Sequence, residues 1–147
     1  MKYTYILIAL LISIKCSAQQ TVQWTYSTKK IQKNIYEVHL TAMVQNPWHI
    51  YSQYMDSGGP LPTTITLNHN PNIELIGTIK ENGKLVTEHV KVFDMDVKYY
   101  SELVTFVQTI KLKSAVKTNL SGTVKYMVCN DKMCLPPKTV PFNIQLQ

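Results

Sequence analysis

The feature that most restricts this chain is a period of two. Between Leu103 and Lys113, Val104, Phe106, Gln108, Ile110 and Leu112 fall on one face, and Leu103, Thr105, Val107 and Thr109 fall on the other. Successive side chains of a strand point to opposite faces, so this regularity predicts extended structure. Apolar residues on both faces predict a central strand. Ile35 to Val44 repeats the pattern, with Tyr36, Val38, Leu40, Ala42 and Val44 opposite Glu37, His39 and Thr41. Shorter strand-like runs cover Val22 to Ser27, Trp48 to Ser52, Thr63 to Leu67, Ile73 to Ile79, Val124 to Val128 and Thr139 to Leu146. Asp56-Ser57-Gly58-Gly59-Pro60 with Pro62 predicts a turn-rich connection, and Glu81-Asn82-Gly83-Lys84 a tight hairpin turn, because Asn-Gly tolerates positive φ. No segment carries a helical period. Eight or nine short strands with turns between them predict an all-β protein, a β-sandwich.

The first eighteen residues have the pattern of an export signal. Lys2 supplies the positive start, Tyr3 to Ile14 is mostly apolar, and Cys16-Ser17-Ala18 offers small residues for cleavage after Ala18. Residues 1–18 are therefore expected to be removed and residues 19–147 to form one exported domain. The apolar run is short for a bilayer span. Removal takes Cys16 and leaves Cys129 and Cys134, an even number suited to an oxidising compartment. It also takes Lys2 and Lys15, which lowers the net charge from +6 to +4. All fifteen basic residues are lysine and they are scattered. Arginine is the usual reader of phosphate and base edges, so a nucleic-acid partner is not expected.

Cys129 and Cys134 lie at the feet of a short connection, Asn130-Asp131-Lys132-Met133, between a strand-like run and Pro136-Pro137. Four intervening residues let the chain double back far enough for a disulfide, whose Cα atoms sit about 4.4–6.8 Å apart. Closing so small a loop is worth about 2 kcal/mol on chain entropy. Spacing alone leaves two readings open, a plain hairpin staple and a redox-active bond. The staple reading makes the chain a non-catalytic secreted binding module. Met127 and Met133 beside the cysteines keep a copper-handling domain as a further alternative. No metal or cofactor is otherwise expected, since His39, His49, His69 and His89 are scattered and no second cysteine pair exists. A hydrolase-type cysteine nucleophile would need a histidine partner, and nothing in the sequence assigns one. Phe93-Asp94-Met95-Asp96, ahead of Tyr99-Tyr100, reads as a loop whose aromatic either tucks into the sandwich edge or covers the disulfide.

Tyr126-x-x-Cys129 … Cys134-x-Pro136-Pro137-x-Thr139-Val140-Pro141 resembles the N-terminal periplasmic domain of the thiol:disulfide interchange protein DsbD. Trp48-x-Ile50-Tyr51 resembles that family's aromatic strand near the site, and Tyr100 to Ile110 its next strand. The resemblance spans most of residues 19–147, with the Cys-to-Pro-Pro block its specific part. It implies an immunoglobulin-like sandwich and a thiol:disulfide oxidoreductase, a protein-disulfide reductase that needs no cofactor. Electrons would arrive from a membrane thiol carrier through a thioredoxin-like module. They would leave to periplasmic disulfide isomerases or cytochrome c maturation proteins. Because the chain ends at Gln147, the membrane and thioredoxin-like parts are expected to be separate proteins, and a monomer is expected.

Residue by residue, the resemblance implies that Cys134 forms the mixed disulfide with partners and Cys129 resolves it. Phe93 matches the aromatic of a cap loop that shields the disulfide, and Tyr126, Trp48 and Tyr51 are the supporting aromatics. Two departures stand out. The family's best-known spacing has five residues between the cysteines against four here, and Lys91 and Val92 replace acidic residues before the cap aromatic. Asp131, inside the cysteine loop, is the acid expected to substitute for them.

Overall fold

A computed structural model describes residues 20–146. The expected export signal and its cleavage site lie outside the described residues. Among these residues there are eleven strands and no helix. They are β1 (Val22–Gln32), β2 (Ile35–Val44), β3 (His49–Tyr51), β4 (Thr64–Leu67), β5 (Ile73–Gly83), β6 (Val86–Val90), β7 (Met95–Tyr100), β8 (Leu103–Leu112), β9 (Thr118–Tyr126), β10 (Val128–Cys129) and β11 (Lys138–Leu146). They form three antiparallel sheets, ordered β1-β2-β8-β5, β10-β3-β7-β6 and β11-β9-β4. The result is an immunoglobulin-like antiparallel sandwich, as expected.

The alternating runs build its centre. Val38, Leu40, Ala42, Val104, Phe106 and Ile110 are fully buried, and Leu120, Val124, Ile144 and Leu146 meet them from the β11-β9-β4 sheet. Each such aliphatic side chain contributes about 1.5–3 kcal/mol on leaving water. β8 lies between β2 and β5, so it is an interior strand. Its even positions are buried, while Leu103 on the other face is exposed. β1 runs five residues beyond the expected Ser27, because Lys33-Asn34 closes a two-residue turn that pairs Gln32 with Ile35. Asn34 takes φ +63° there, a left-handed value asparagine accepts more readily than most residues.

Two expectations are corrected. Glu81-Asn82-Gly83 is not a hairpin turn; it is the end of β5, paired with Phe106, Thr105 and Val104. Gly83 serves close approach, since a Cβ there would lie 2.8 Å from the Leu103 carbonyl oxygen. β5 instead bends at Gly77, with φ +67° and a register shift between Ile76 and Lys80. The Phe93–Asp96 stretch is only half loop. Residues 91–94 form a turn, and Met95 already belongs to β7, hydrogen-bonded to the unforeseen β6.

The sheet β10-β3-β7-β6 positions the site. Its Val128, Ile50 and Tyr100 are buried in the main core. The alternate residues Cys129, Tyr51 and Val97 gather in a second, smaller cluster on the opposite face.

Candidate functional site

The structure joins Cys129 and Cys134 in a disulfide with Cα atoms 4.0 Å apart, closer than the expected window. The backbone explains the closeness. Leu135 N donates to Val128 O at 2.8 Å, and Asn130 N donates to Met133 O at 2.9 Å. Those bonds flank the cysteines as a non-hydrogen-bonded antiparallel pair, the kind in which facing residues come nearest. Asn130 shapes the turn itself. Its Oδ1 accepts from the backbone N–H of both Lys132 and Met133 at 2.9 Å.

The two sulfurs have different surroundings. Cys129 is 1% exposed, packed beneath the sheet's outer face, whereas Cys134 is exposed. Both line a cleft of about 570 Å3 between two four-residue turns, 91–94 and 130–133. Phe93 reaches the cleft from the first turn. It remains 44% exposed and leaves Cys134 open to solvent. Phe93, Pro60 and Cys134 also border a neighbouring groove of about 700 Å3 along Met55 to Pro62 and Met127. At the cap's foot His89 lies 3.0 Å from Asp96 and 3.7 Å from Asp94, an exposed cluster of small energetic weight.

Of the three supporting aromatics, Tyr51 lines the cleft. Tyr126 does not. It is 2% exposed in the main core, its ring 5.4 Å from that of Trp24. Trp48 likewise packs against that core. Both precede or follow cleft residues in sequence, but alternation turns them to the other side. Asp131 does reach the cleft, on the turn beside the cysteines.

Residues the sequence did not single out complete the cleft wall. His49 Nε2 and the Tyr51 hydroxyl are hydrogen-bonded at 3.1 Å. The His49 ring lies 4.4 Å from the Tyr99 ring, and the Tyr99 hydroxyl donates to Glu88 Oε2 at 3.1 Å. Burial lowers the His49 pKa below its usual value, while the charges of Asp131 and Glu88 pull it back up. Burial pushes Tyr51 up to about 12, and it also raises Tyr99, aided by the bond to Glu88. Both phenols thus stay protonated at neutral pH. Met55, Met95 and Met127 pack around Cys129, Tyr51 and Val97, and the Met55 sulfur accepts from Lys98 N at 3.1 Å. Among the described residues, no three His, Cys, Asp or Glu side chains come together as metal ligands.

This arrangement, a pair of bonded sulfurs with one open and one covered, is chemically suited to thiol exchange at the open sulfur. Comparisons with known proteins agree. The structure is similar to the N-terminal periplasmic domain of ScsB from Proteus mirabilis, with TM-score 0.57 and 16% identity over 86% of this chain and 46% of that one. It is also similar to the Neisseria meningitidis DsbD n-terminal domain in the reduced form, with TM-score 0.53 and 11% identity over 82% of this chain and 83% of that one. This chain thus spans less than half of the Proteus domain, and at such identities the likeness establishes the fold. No curated protein matches the sequence. The family described as "Thiol:disulfide interchange protein DsbD, N-terminal" matches residues 17–146. The chain therefore belongs to the DsbD N-terminal family of thiol:disulfide interchange domains.

Proposed function

We propose that this domain relays electrons in the periplasm through the reversible Cys129–Cys134 disulfide, acting as a protein-disulfide reductase after an export signal is cleaved behind Ala18. The observation that carries this reading is the asymmetry of the pair. An incoming sulfur meets the exposed Cys134, and the buried Cys129 waits behind it.

In the filling direction a donor thiolate attacks Cys134 Sγ, and Cys129 leaves as a thiolate. The donor's second thiol then attacks its own sulfur in the mixed disulfide and releases Cys134, so the domain holds two thiols and the donor a disulfide. In the emptying direction the Cys134 thiolate attacks an acceptor disulfide. Cys129 then attacks Cys134 Sγ, which closes the intramolecular bond and releases the acceptor as a dithiol. Such steps need access and thiolate in equal measure. Phe93 at the cleft mouth would slow stray thiols and shift when a partner docks. The donor is a thioredoxin-like module fed by a membrane thiol carrier. The acceptors are disulfide isomerases or cytochrome c maturation proteins.

Capture from the native envelope tests the roles. Cys129→Ser should accumulate partners in mixed disulfides at Cys134, and Cys134→Ser should capture none. Equal capture by both variants would defeat the assignment. The reduction potential tests the alternative of a permanent staple: a value between about −270 and −120 mV marks an exchanger, and one below about −300 mV a structural bond.

A further inference from the structure

Cys129 and His49 stand directly opposite one another in the ladder between β10 and β3. Opposed residues of an antiparallel pair project to the same face, with Cβ atoms about 4.5–5.5 Å apart. That face is the cleft, which both residues line.

The resolving role makes a demand that Cys129 meets poorly by itself. It must present a thiolate, yet it is 1% exposed, and an apolar setting raises a thiol's pKa. Glu88 and Asp131, which line the same cleft, oppose a second negative charge there. Imidazole is the group whose charge changes near neutral pH, and here one faces the thiol across the ladder. The His49 ring is held in place, hydrogen-bonded to Tyr51 and lying against Tyr99. Burial keeps it neutral and therefore able to accept a proton. The titratable and charged groups that face it are Tyr51 on its own strand, Tyr99 on β7, Glu88 on β6, and Asp131 and Lys132 on the turn.

We propose that His49 is the base that takes the Cys129 proton when the mixed disulfide is resolved. The proposal rests on the interchange reading above and deepens it. The Cys129 S–H proton passes to the imidazole, and the thiolate attacks Cys134 Sγ. The Cys129–Cys134 bond forms, the bond from Cys134 to the partner breaks, and the electron pair leaves with the partner's sulfur. The imidazolium returns the proton to that sulfur or to water. In the filling direction the same ring, once protonated, hands its proton to the departing Cys129 thiolate. The pair of acids that lowers thiolate supply thus also holds the imidazolium in place.

Two titrations by NMR of the full chain test this without any partner. In the unmodified protein, the His49 ring should titrate in one step when the disulfide is closed. When the protein is reduced, it should gain a second inflection at the pH where the assigned Cys129 Cβ resonance moves, as coupled groups do. His49→Gln should raise the Cys129 pKa by about one unit, because the thiolate loses the imidazolium that its own proton creates beside it. Closure kinetics give a third readout, using an aromatic disulfide whose second coloured thiolate is released as Cys129 attacks. With tenfold less thiolate but a more nucleophilic sulfur, His49→Gln should close about threefold slower at pH 7, and the deficit should vanish as pH rises past the thiol pKa. Identical His49 titrations in both redox states would overturn the proposal, even if His49→Gln failed to fold. An unmoved Cys129 pKa or a pH-independent rate deficit in His49→Gln would overturn it as well. Failure of the interchange reading would show separately, as absent capture in Cys129→Ser with the titrations unchanged.

Discussion

The two faces of the sheet β10-β3-β7-β6 are made from the same short strands with their residues taken alternately, yet they serve opposite ends. Val128, Ile50 and Tyr100 point one way and disappear into the main core. Cys129, His49, Tyr51 and Tyr99 point the other way and line the cleft. One step along the chain therefore separates a side chain that holds the fold from one that lines the cleft. A redox site placed back to back with a core inherits a rigid floor, because the backbone that carries it is already fixed by packing.

The strongest way to break that contrast is to damage each face in turn. Ile50 is fully buried, so Ile50→Ala should cost about 3 kcal/mol in denaturant unfolding of the oxidised protein. Tyr51→Phe, one residue on, should cost under about 1.5 kcal/mol, since it removes one hydroxyl and its bond to His49. Equal losses would mean that the cleft face also carries the fold. Next in size is the disulfide. Reducing it should lower stability by about 2 kcal/mol and leave the domain folded, with Ile50 and Tyr100 still protected in hydrogen exchange. Unfolding on reduction would make the bond a staple.

The pH dependence should also separate the faces. Burial lowers His49, so between its folded pKa and about 6.5 the unfolded chain binds more protons. That contribution to stability is complete above pH 6.5 and is lost as pH falls through the folded pKa. Tyr51 has the reverse sign. Raised to about 12, its contribution is complete below pH 10 and is lost as pH climbs toward 12. Tyr51→Phe should flatten the alkaline limb, and His49→Gln the acid limb; unchanged limbs would break the link between these residues and their cleft. The smallest effect belongs to the cap. Phe93→Ala should change unfolding free energy by less than about 0.5 kcal/mol, while reduction by a small thiol speeds up several-fold. An unchanged rate would remove Phe93 from any shielding role.

Legibility followed the same division. β2 was readable to the residue, because one of its faces meets core and the other does not. The cysteine turn was readable from spacing. β7 was not, although Met95, Val97 and Tyr99 alternate with Asp96 and Lys98, because the run is only six residues long and Val97 and Tyr99 face the cleft instead of the main core. β6, with Thr87, Glu88 and His89 mostly exposed, lacks an apolar stripe altogether. Asn-Gly at positions 82 and 83 misled for a different reason: glycine was needed there for proximity to Leu103, a demand that looks identical in sequence to a turn. His49 stayed hidden because its meaning lies across a ladder, eighty residues from Cys129. Tyr126 and Trp48 were drawn to the site by the resemblance, and the pleat turns them into the main core instead.

The hydrogen bonds from Leu135 to Val128 and from Asn130 to Met133 do not depend on sulfur. When the disulfide opens, this backbone clasp still keeps the two thiols within arm's reach, so each sees the other at a very high local concentration. Re-forming the bond then requires no search by the chain. A relay of the kind proposed would then be charged and discharged while its skeleton stands still.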